Sequence, residues 1–270
     1  MTAARLLALI CALAAAAPGA ALAGERVYSL DQCADQYVLA LVPRGDIAAL
    51  SPRADDHDSY LRRLAGGLPK GRAALEPVLA SRAHVVVRYW GGDLQLMAAL
   101  RRRRVRVVTI DDAQDFAGVR RNVRSVAQAL GRPAAGEALV KRMDGQLERT
   151  GRGGGGRNGL YLTSGGFTAG PDTLIGAMLA AAGWRNAAGR PGFQPVRLER
   201  LVISPPQALA LGYFDPASLA AQRWAFGRHR VVRELASTRP AMALPSSILG
   251  CPAWFAADGP ALLARWNAAR

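Results

Sequence analysis

PAAGEALVKRMDGQLERT, residues 133–150, is the segment that decides how this 270-residue chain is organised. Charged side chains separate apolar residues that recur at helical spacing, namely Ala138, Leu139, Met143 and Leu147. Pro133 suits the first turn, because its missing N–H is one that no helix start needs. A helix of this length, rising about 1.5 Å per residue, would be a rod roughly 27 Å long. The glycine-rich GRGGGGRNG at 151–159 follows it as a linker.

A repeat flanks this predicted helix. LEPVLASRAHVVV, residues 75–87, aligns without a gap on LERLVISPPQALA, residues 198–210. Each copy reads as a short helix and a strand, and the alternation of strands and helices elsewhere favours mostly parallel sheets. We therefore predict an α/β protein with two Rossmann-like lobes, residues 24–130 and 159–270. Residues 131–158 would join the lobes, and the cleft between them would be the working site.

The N-terminus has the features of a secretory signal. Arg5 precedes an apolar run, Leu6 to Ala17, that is short for a membrane span, and Ala21-Leu22-Ala23 offers small residues for cleavage before Gly24. Lipidation at Cys11 is disfavoured because Ile10 precedes it. We expect residues 1–23 to be a cleaved signal peptide and the mature protein to be soluble and periplasmic.

The basic charge does not by itself indicate nucleic-acid binding. The formal net charge is +15, but Lys70 and Lys141 are the only lysines and the arginines are spread over every segment. This distribution is typical of compositional bias, and no nucleic-acid-binding motif accompanies it, so we expect no nucleic-acid partner. A basic surface still suits an anionic ligand or anionic lipids.

Histidine and cysteine are too few to predict chemistry. His57, His84 and His229 lack the spacing of a metal site, so no metal is expected. Cys33 and Cys251 remain after the signal, and an oxidising compartment would permit a disulfide between them. The sequence does not set the distance between their Cα atoms, so a disulfide and free thiols both stay open.

Residues after the predicted strands are the candidates for ligand binding, because ligands of parallel sheets bind beyond the carboxyl ends of strands. Residues 31–35 are expected to be a turn, and 51–59, 164–170 and 187–195 are expected to be loops. Aromatic side chains at these places favour an apolar wall for a large flat ligand, and Arg53 and Arg88 could bind anionic groups. The predicted ligand-binding residues are Asp31, Gln32, Cys33, Arg53, Tyr89, Trp90, Phe167, Phe193 and Tyr213.

Glu76 and Glu199 occupy the same position in the two copies of the repeat. A carboxylate near a helix N-terminus stabilises the helix by about 0.3–1 kcal/mol, which is one interpretation. The other is a pair of equivalent acidic contacts, one on each lobe, with a two-fold symmetric basic partner. The residues alone do not favour either.

Several of these segments, in this order, resemble one family. The strand at residues 26–30, LEPVLASRAHVVV, Trp90-Gly-Gly92, the long helix, SGGFTAG at 164–170 and LERLVISPPQALA are similar to periplasmic substrate-binding proteins of ABC importers. The resemblance is to the cobalamin and ferric-siderophore (helical-backbone, class III) family and covers essentially the whole mature chain. It implies a monomeric binding protein with no cofactor and no enzymatic activity. Its partners would be an inner-membrane permease and ATPase.

The resemblance also assigns roles to single residues. Glu76 and Glu199 match the glutamates that dock on arginines of the permease, while Phe167 and Phe193 match aromatic positions lining the ligand cleft. Lys70-Gly-Arg72 stands where cobalamin binders often carry an aromatic residue, and Asp31-Gln-Cys33 replaces the commoner opening. The expected cargo is therefore a corrinoid or a ferric siderophore, with haem as an alternative. Two rivals are a secreted enzyme using Cys33 or Cys251, and a basic scaffold binding anionic polymers.

Overall fold

Two separate parallel sheets form the two lobes of the molecule. The structure is a computed structural model that describes residues 24–150, 156–221 and 226–268. In the N-terminal lobe the strand order is β2-β1-β3-β4, with β1 Val27–Ser29, β2 Ile47–Ala49, β3 Val85–Tyr89 and β4 Arg106–Ile110. In the C-terminal lobe it is β10-β9-β5-β7, with β5 Asn158–Thr163, β7 Arg185–Asn186, β9 Ala208–Gly212 and β10 Ala241–Leu244. The predicted fold class is confirmed.

Ten α-helices surround the two sheets in the described part of the chain. They are α1 Gln32–Leu41, α2 Leu75–Ala80, α3 Leu94–Arg102, α4 Phe116–Ala129, α5 Pro133–Thr150, α6 Leu174–Ala181, α7 Leu198–Ile203, α8 Pro216–Ala221, α9 Arg230–Thr238 and α10 Asp258–Ala268. None of the helices that the structure describes has the length and apolarity needed to cross a bilayer. The predicted signal at residues 1–23 lies outside the described residues, and so do residues 151–155 of the linker.

The repeat seen in the sequence corresponds to a structural repeat. The six residues of α2 and the six of α7 begin at the same position of the two aligned copies. The five-residue strands β3 and β9 also begin and end at matching positions. Each helix is anchored by one buried apolar residue, Val78 in α2 and Leu201 in α7. Equivalent sequence therefore builds an equivalent helix–strand unit in each lobe.

Helix α5 has the bounds that the sequence predicts and packs on α4 and α10. Gly136 allows α4 to come close, because a Cβ there would lie 2.4 Å from the Cβ of Ala127. An ion pair of 2.7 Å between Arg120 and Asp144 also joins the two helices. Helix α5 is thus packed against one helix of each lobe.

Three predicted loop assignments are wrong. Residues 31–35 are not a turn, because Asp31 caps α1 by accepting a hydrogen bond from the Ala34 N–H at 2.9 Å, and the helix starts at Gln32. The 164–170 and 187–195 loops each contain a short strand, β6 Phe167–Ala169 and β8 Phe193–Pro195, and the two strands pair antiparallel. Backbone pairing across a long separation stabilises these strands despite their glycine-rich flanks.

Residues 251–257 reach from the C-terminal lobe onto the N-terminal lobe. The buried Tyr37 hydroxyl of α1 donates a hydrogen bond of 2.6 Å to the carbonyl of Pro252, and its ring meets that of Trp254 edge-on. The rings of Tyr60 and Phe255 stack at 4.2 Å. A disulfide joins Cys33 in α1 to Cys251, with Cα atoms 5.4 Å apart, so the pairing that the sequence left open is present.

We expect removal of this disulfide to destabilise the protein, because the bond closes a loop with a sequence separation of 218. Cys33→Ser combined with Cys251→Ser should lower the free energy of unfolding by about 2–5 kcal/mol. Urea unfolding followed by circular dichroism measures the change. Reductant should produce a similar loss in the wild type and none in the double variant. Identical wild-type curves with and without reductant would contradict the expectation.

Candidate ligand-binding cleft

The candidate site lies between the lobes, at the carboxyl ends of the strands of both parallel sheets. Two cavities of about 670 and 380 Å³ meet there and share Tyr89 and Gly250 in their walls. The larger is lined mainly by residues at or after the ends of β1, β2 and β3. The smaller is lined by residues that follow β4 and β9, by Tyr161 and Thr163 of β5, and by residues 172–175 and 249–252. This placement agrees with the general rule for ligand sites in parallel sheets.

Asp31 and Cys33 line the larger cavity but have structural partners. The Asp31 carboxylate accepts hydrogen bonds from the Ala34 N–H and, at 2.7 Å, from the Tyr89 N–H. It therefore caps α1 and ties the end of β1 to the end of β3. Cys33 is held in the disulfide. Both residues shape the wall of the cavity, and neither offers a free reactive group.

Arg53 and Gln32 also line this cavity and belong to a polar network at its mouth. Arg53 forms ion pairs of 2.9 Å with Asp56 and 3.0 Å with Asp58, and the Gln32 side-chain amide donates to Asp58 at 2.7 Å. The hydrogen bond to Asp56 raises the pKa of Arg53. Two carboxylates thus neutralise much of the Arg53 charge that a ligand would otherwise meet.

The same loop meets the other lobe across the cleft. His57 Nε2 lies 3.4 Å from Asp215 Oδ1, which follows β9 in the C-terminal lobe. Burial would raise the pKa of Asp215, but hydrogen bonds from the backbone and hydroxyl of Ser218, with smaller effects including the proximity of His57, hold it below its usual range. This polar contact joins the two lobes.

Tyr89 and Trp90 form the aromatic wall on the N-terminal side. The Tyr89 hydroxyl donates a hydrogen bond of 2.7 Å to Asp112, and burial followed by that bond raises the pKa of Tyr89. Trp90 meets the Tyr89 ring edge-on and keeps 55% of its surface exposed. An exposed indole in a cavity wall offers a surface on which a flat ring can stack.

Phe193 and Tyr213 line the cavity on the C-terminal side. Phe193 is 65% exposed, whereas burial raises the pKa of Tyr213, which has a left-handed backbone at φ 61°. Phe167 borders neither cavity. The register of β6 and β8 pairs Ala169 with Phe193, so Phe167 and Phe193 share one face of this small sheet. Of the predicted ligand-binding residues, Phe167 alone lies outside the two cavities.

Several further polar residues line the cavities. The sequence suggested Arg88 as a residue that could bind anionic groups, but it did not indicate Arg72, Asp112 or Asp172. Arg72 and the mostly buried Arg88 line the larger cavity, and neither forms an ion pair with any residue that the structure describes. Asp112 and Asp172 line the smaller one. Asp112 could have been identified, because it comes two residues after the apolar segment that forms β4. Residues 249–252 carry no such signal, since a long-range contact brings them to the cleft.

Glu76 and Glu199 lie outside the cleft, in the first turns of α2 and α7. Both are exposed, and neither pairs with a basic side chain in the described ranges. The structure therefore leaves both carboxylates available to a partner.

Two of the three histidines have structural roles. His84 Nδ1 accepts a hydrogen bond from the Arg26 N–H, and His229 Nδ1 accepts one from the Val231 N–H at the start of α9. Within residues 24–150, 156–221 and 226–268, no three His, Cys, Asp or Glu side chains are grouped to hold a metal ion.

Comparison with known proteins identifies the fold. No family model and no curated protein matches the sequence. The solved structure of the periplasmic heme-binding protein RhuT from Roseiflexus sp. RS-1 matches with a TM-score of 0.69, covering 90% of this chain and 98% of that one at 22% identity. This chain has the fold of periplasmic binding proteins.

Further structures with this fold bind different ligands. The vitamin B12-binding protein BtuF of Vibrio cholerae is 15% identical, with a TM-score of 0.66 over 91% of this chain and 97% of that one. The molybdate-binding protein MolA from Haemophilus influenzae is 18% identical, with a TM-score of 0.70 over 90% and 85%. The resemblance inferred from the sequence is confirmed at the level of the fold.

Asp35 supports the cavity wall, and its shifted pKa predicts that the stability of the fold depends on pH. Its buried carboxylate accepts hydrogen bonds of 2.8 and 2.6 Å from the backbone and hydroxyl of Ser51, which lines the larger cavity. Burial raises the pKa of Asp35 from 3.8 to about 6, despite these bonds. This group therefore stabilises the fold fully below pH 3.8, and the contribution, on the order of 3 kcal/mol, is lost as the pH rises through 6.

Asp35→Asn should remove this part of the pH dependence while keeping a carbonyl acceptor for the Ser51 N–H. Urea unfolding at about pH 4 and about pH 7 measures the fall in the free energy of unfolding. We expect a smaller fall in the variant than in the wild type, and a wild-type fall in the control Asp111→Asn, which changes an exposed carboxylate. An equal fall in all three proteins would show that Asp35 does not titrate in this range.

Proposed function

We propose that this chain is the periplasmic solute-binding component of an ABC importer, and that it captures a corrinoid or a ferric siderophore between its lobes. Haem is the alternative cargo. The observation that carries the proposal is the pair of adjoining cavities, where exposed aromatic rings, Trp90 and Phe193, occur together with Arg72 and Arg88, which pair with no carboxylate among the described residues.

The cavity chemistry supports a large planar ligand with anionic groups. Drug-sized ligands occupy cavities of roughly 300–1,000 Å³, so adjoining cavities of about 670 and 380 Å³ suit a ligand at or above that range. Aromatic faces stack on flat rings, and guanidinium groups bind carboxylates or phosphates. The heme and B12 ligands of the two similar proteins support this class, while molybdate shows that the fold accepts others.

Binding followed by delivery, without chemistry, accounts for the remaining features. In the proposal Glu76 and Glu199 dock on basic residues of a permease that works with an ATPase. The rival hypothesis of a secreted enzyme requires a free thiol as nucleophile, but Cys33 and Cys251 are bonded to each other. The protein would act as a monomer in the periplasm after cleavage of its signal. The packing of α5 against one helix of each lobe favours little hinge motion on binding.

The first test is ligand titration. Purified protein should bind at least one of cobalamin, haemin and a ferric siderophore saturably, measured by absorbance or intrinsic fluorescence. Trp90→Ala and Phe193→Ala should each weaken that binding by about tenfold through lost stacking. The control Ile203→Ala removes an exposed apolar side chain far from the cleft and should bind like the wild type. Absence of saturable binding, with only steep salt-dependent adsorption of polyanions, would favour the basic-scaffold rival.

The second test separates docking from binding. Glu76→Arg combined with Glu199→Arg should abolish ligand uptake with the cognate permease and leave ligand affinity unchanged, because both residues lie outside the cavities. Glu148→Arg combined with Glu234→Arg makes the same charge change at two other exposed glutamates and should preserve uptake. Weakened affinity in the first pair would reassign these glutamates to the ligand site. Normal uptake with Glu76→Arg combined with Glu199→Arg would show that these glutamates do not dock on the permease.

A further inference from the structure

A third cavity lies on the C-terminal lobe, outside the cleft. It has a volume of about 300 Å³ and is bounded by the turn at 187–190, β8 and α7. Three arginines line it: Arg190, Arg197 and Arg200. We propose that this cavity binds a phosphate group, either free or in a phospholipid headgroup.

The small β6–β8 sheet separates this cavity from the cleft. Its register pairs Thr168 with Gln194, so these two side chains share the face opposite to the one that carries Phe167 and Phe193. Thr168 and Gln194 line the third cavity, whereas Phe193 lines the cleft. The arginine cavity is therefore a second site, built on the other face of the same two strands.

The charges of the cavity are not neutralised internally. The Arg190 side chain donates to the amide oxygen of Gln194 at 3.0 Å, and it pairs with no carboxylate of the described residues. Arg197 and Arg200 make no ion pair with the residues that the structure describes, although the exposed Glu199 lies between them in the chain. Elsewhere Arg120 and Arg124 on α4 pair with carboxylates of α5. Concentration of unpaired guanidiniums in one concave surface distinguishes this site from scattered arginine bias.

A buried hydroxyl also lacks a partner at this cavity. Thr168 is 4% exposed, and its Oγ1 finds no hydrogen-bond partner in the part of the chain that the structure describes. A buried hydroxyl without a partner destabilises a protein, so such groups are usually satisfied. A bound phosphate oxygen would accept its hydrogen bond. Phosphate also offers enough acceptors for the three guanidiniums, which the fork geometry of arginine suits.

The experiment uses the full mature chain with two probes. Inorganic phosphate is titrated calorimetrically, and co-sedimentation compares vesicles of phosphatidylcholine alone with vesicles that also contain phosphatidylglycerol. Arg197→Gln combined with Arg200→Gln should weaken binding by about tenfold or more, since each removes a charge-assisted hydrogen-bond donor. The control Arg102→Gln combined with Arg103→Gln makes the same charge change on α3 and the residue after it, and should bind like the wild type.

The probes distinguish the source of the phosphate. Binding of inorganic phosphate alone supports a soluble ligand, and binding of phosphatidylglycerol vesicles alone supports a lipid headgroup. Either result supports the site only if Arg197→Gln combined with Arg200→Gln weakens the binding that is observed. No binding of either probe, or an equal loss in the two double variants, overturns the proposal.

Thr168→Val tests the hydroxyl separately from the charge. The change keeps the side-chain shape, so the ligand-free protein should unfold at the same or a higher temperature than the wild type. Phosphate or vesicle affinity should nevertheless fall by several-fold, because one donor is lost. Unchanged affinity in this variant would overturn the assignment of Thr168 to the site. Cargo binding in the cleft serves as an independent measure that each variant is folded.

Discussion

One continuous apolar layer packs between the two sheets and joins the two lobes. It contains Tyr37 and Val38 of α1, Val123 of α4, Met143 of α5, and Trp254 and Phe255. Two smaller apolar clusters lie on the opposite faces of the sheets, beneath α2 and α3 in one lobe and α7 and α9 in the other. Cys33, Tyr161 and Cys251 belong both to this layer and to the walls of the two cavities. The layer that joins the lobes therefore also forms part of the surface of the cleft.

Much of the architecture could be predicted from local pattern. The bounds of α5 follow from helical periodicity and Pro133, and the matching α2–β3 and α7–β9 units follow from a gapless repeat. The strands β6 and β8 could not be predicted in this way. They are short, flanked by glycine, and stabilised by pairing with each other over a long sequence separation. The start of α1 was missed because Asp31 caps a helix where a polar turn was expected.

The candidate site was predictable to the extent that it follows strands. Tyr89 and Trp90 lie where a strand ends, and the structure brings them into the cleft as expected. Arg72 and residues 249–252 reach the same cleft through tertiary contacts that no local pattern encodes. The short distance between Cys33 and Cys251 likewise results from tertiary contacts and not from a local pattern. Local sequence thus predicts part of the side-chain chemistry that lines the cavities, but not all of the residues that supply it.

The position of the disulfide has a consequence for biogenesis. During translation Cys33 is added to the polypeptide long before Cys251, which lies 218 positions later. This bond therefore cannot form until nearly the whole polypeptide has been made, and it needs an oxidising environment. Its formation also requires that the segment around Cys251 has packed against α1. Polypeptides that are truncated before Cys251 cannot form it.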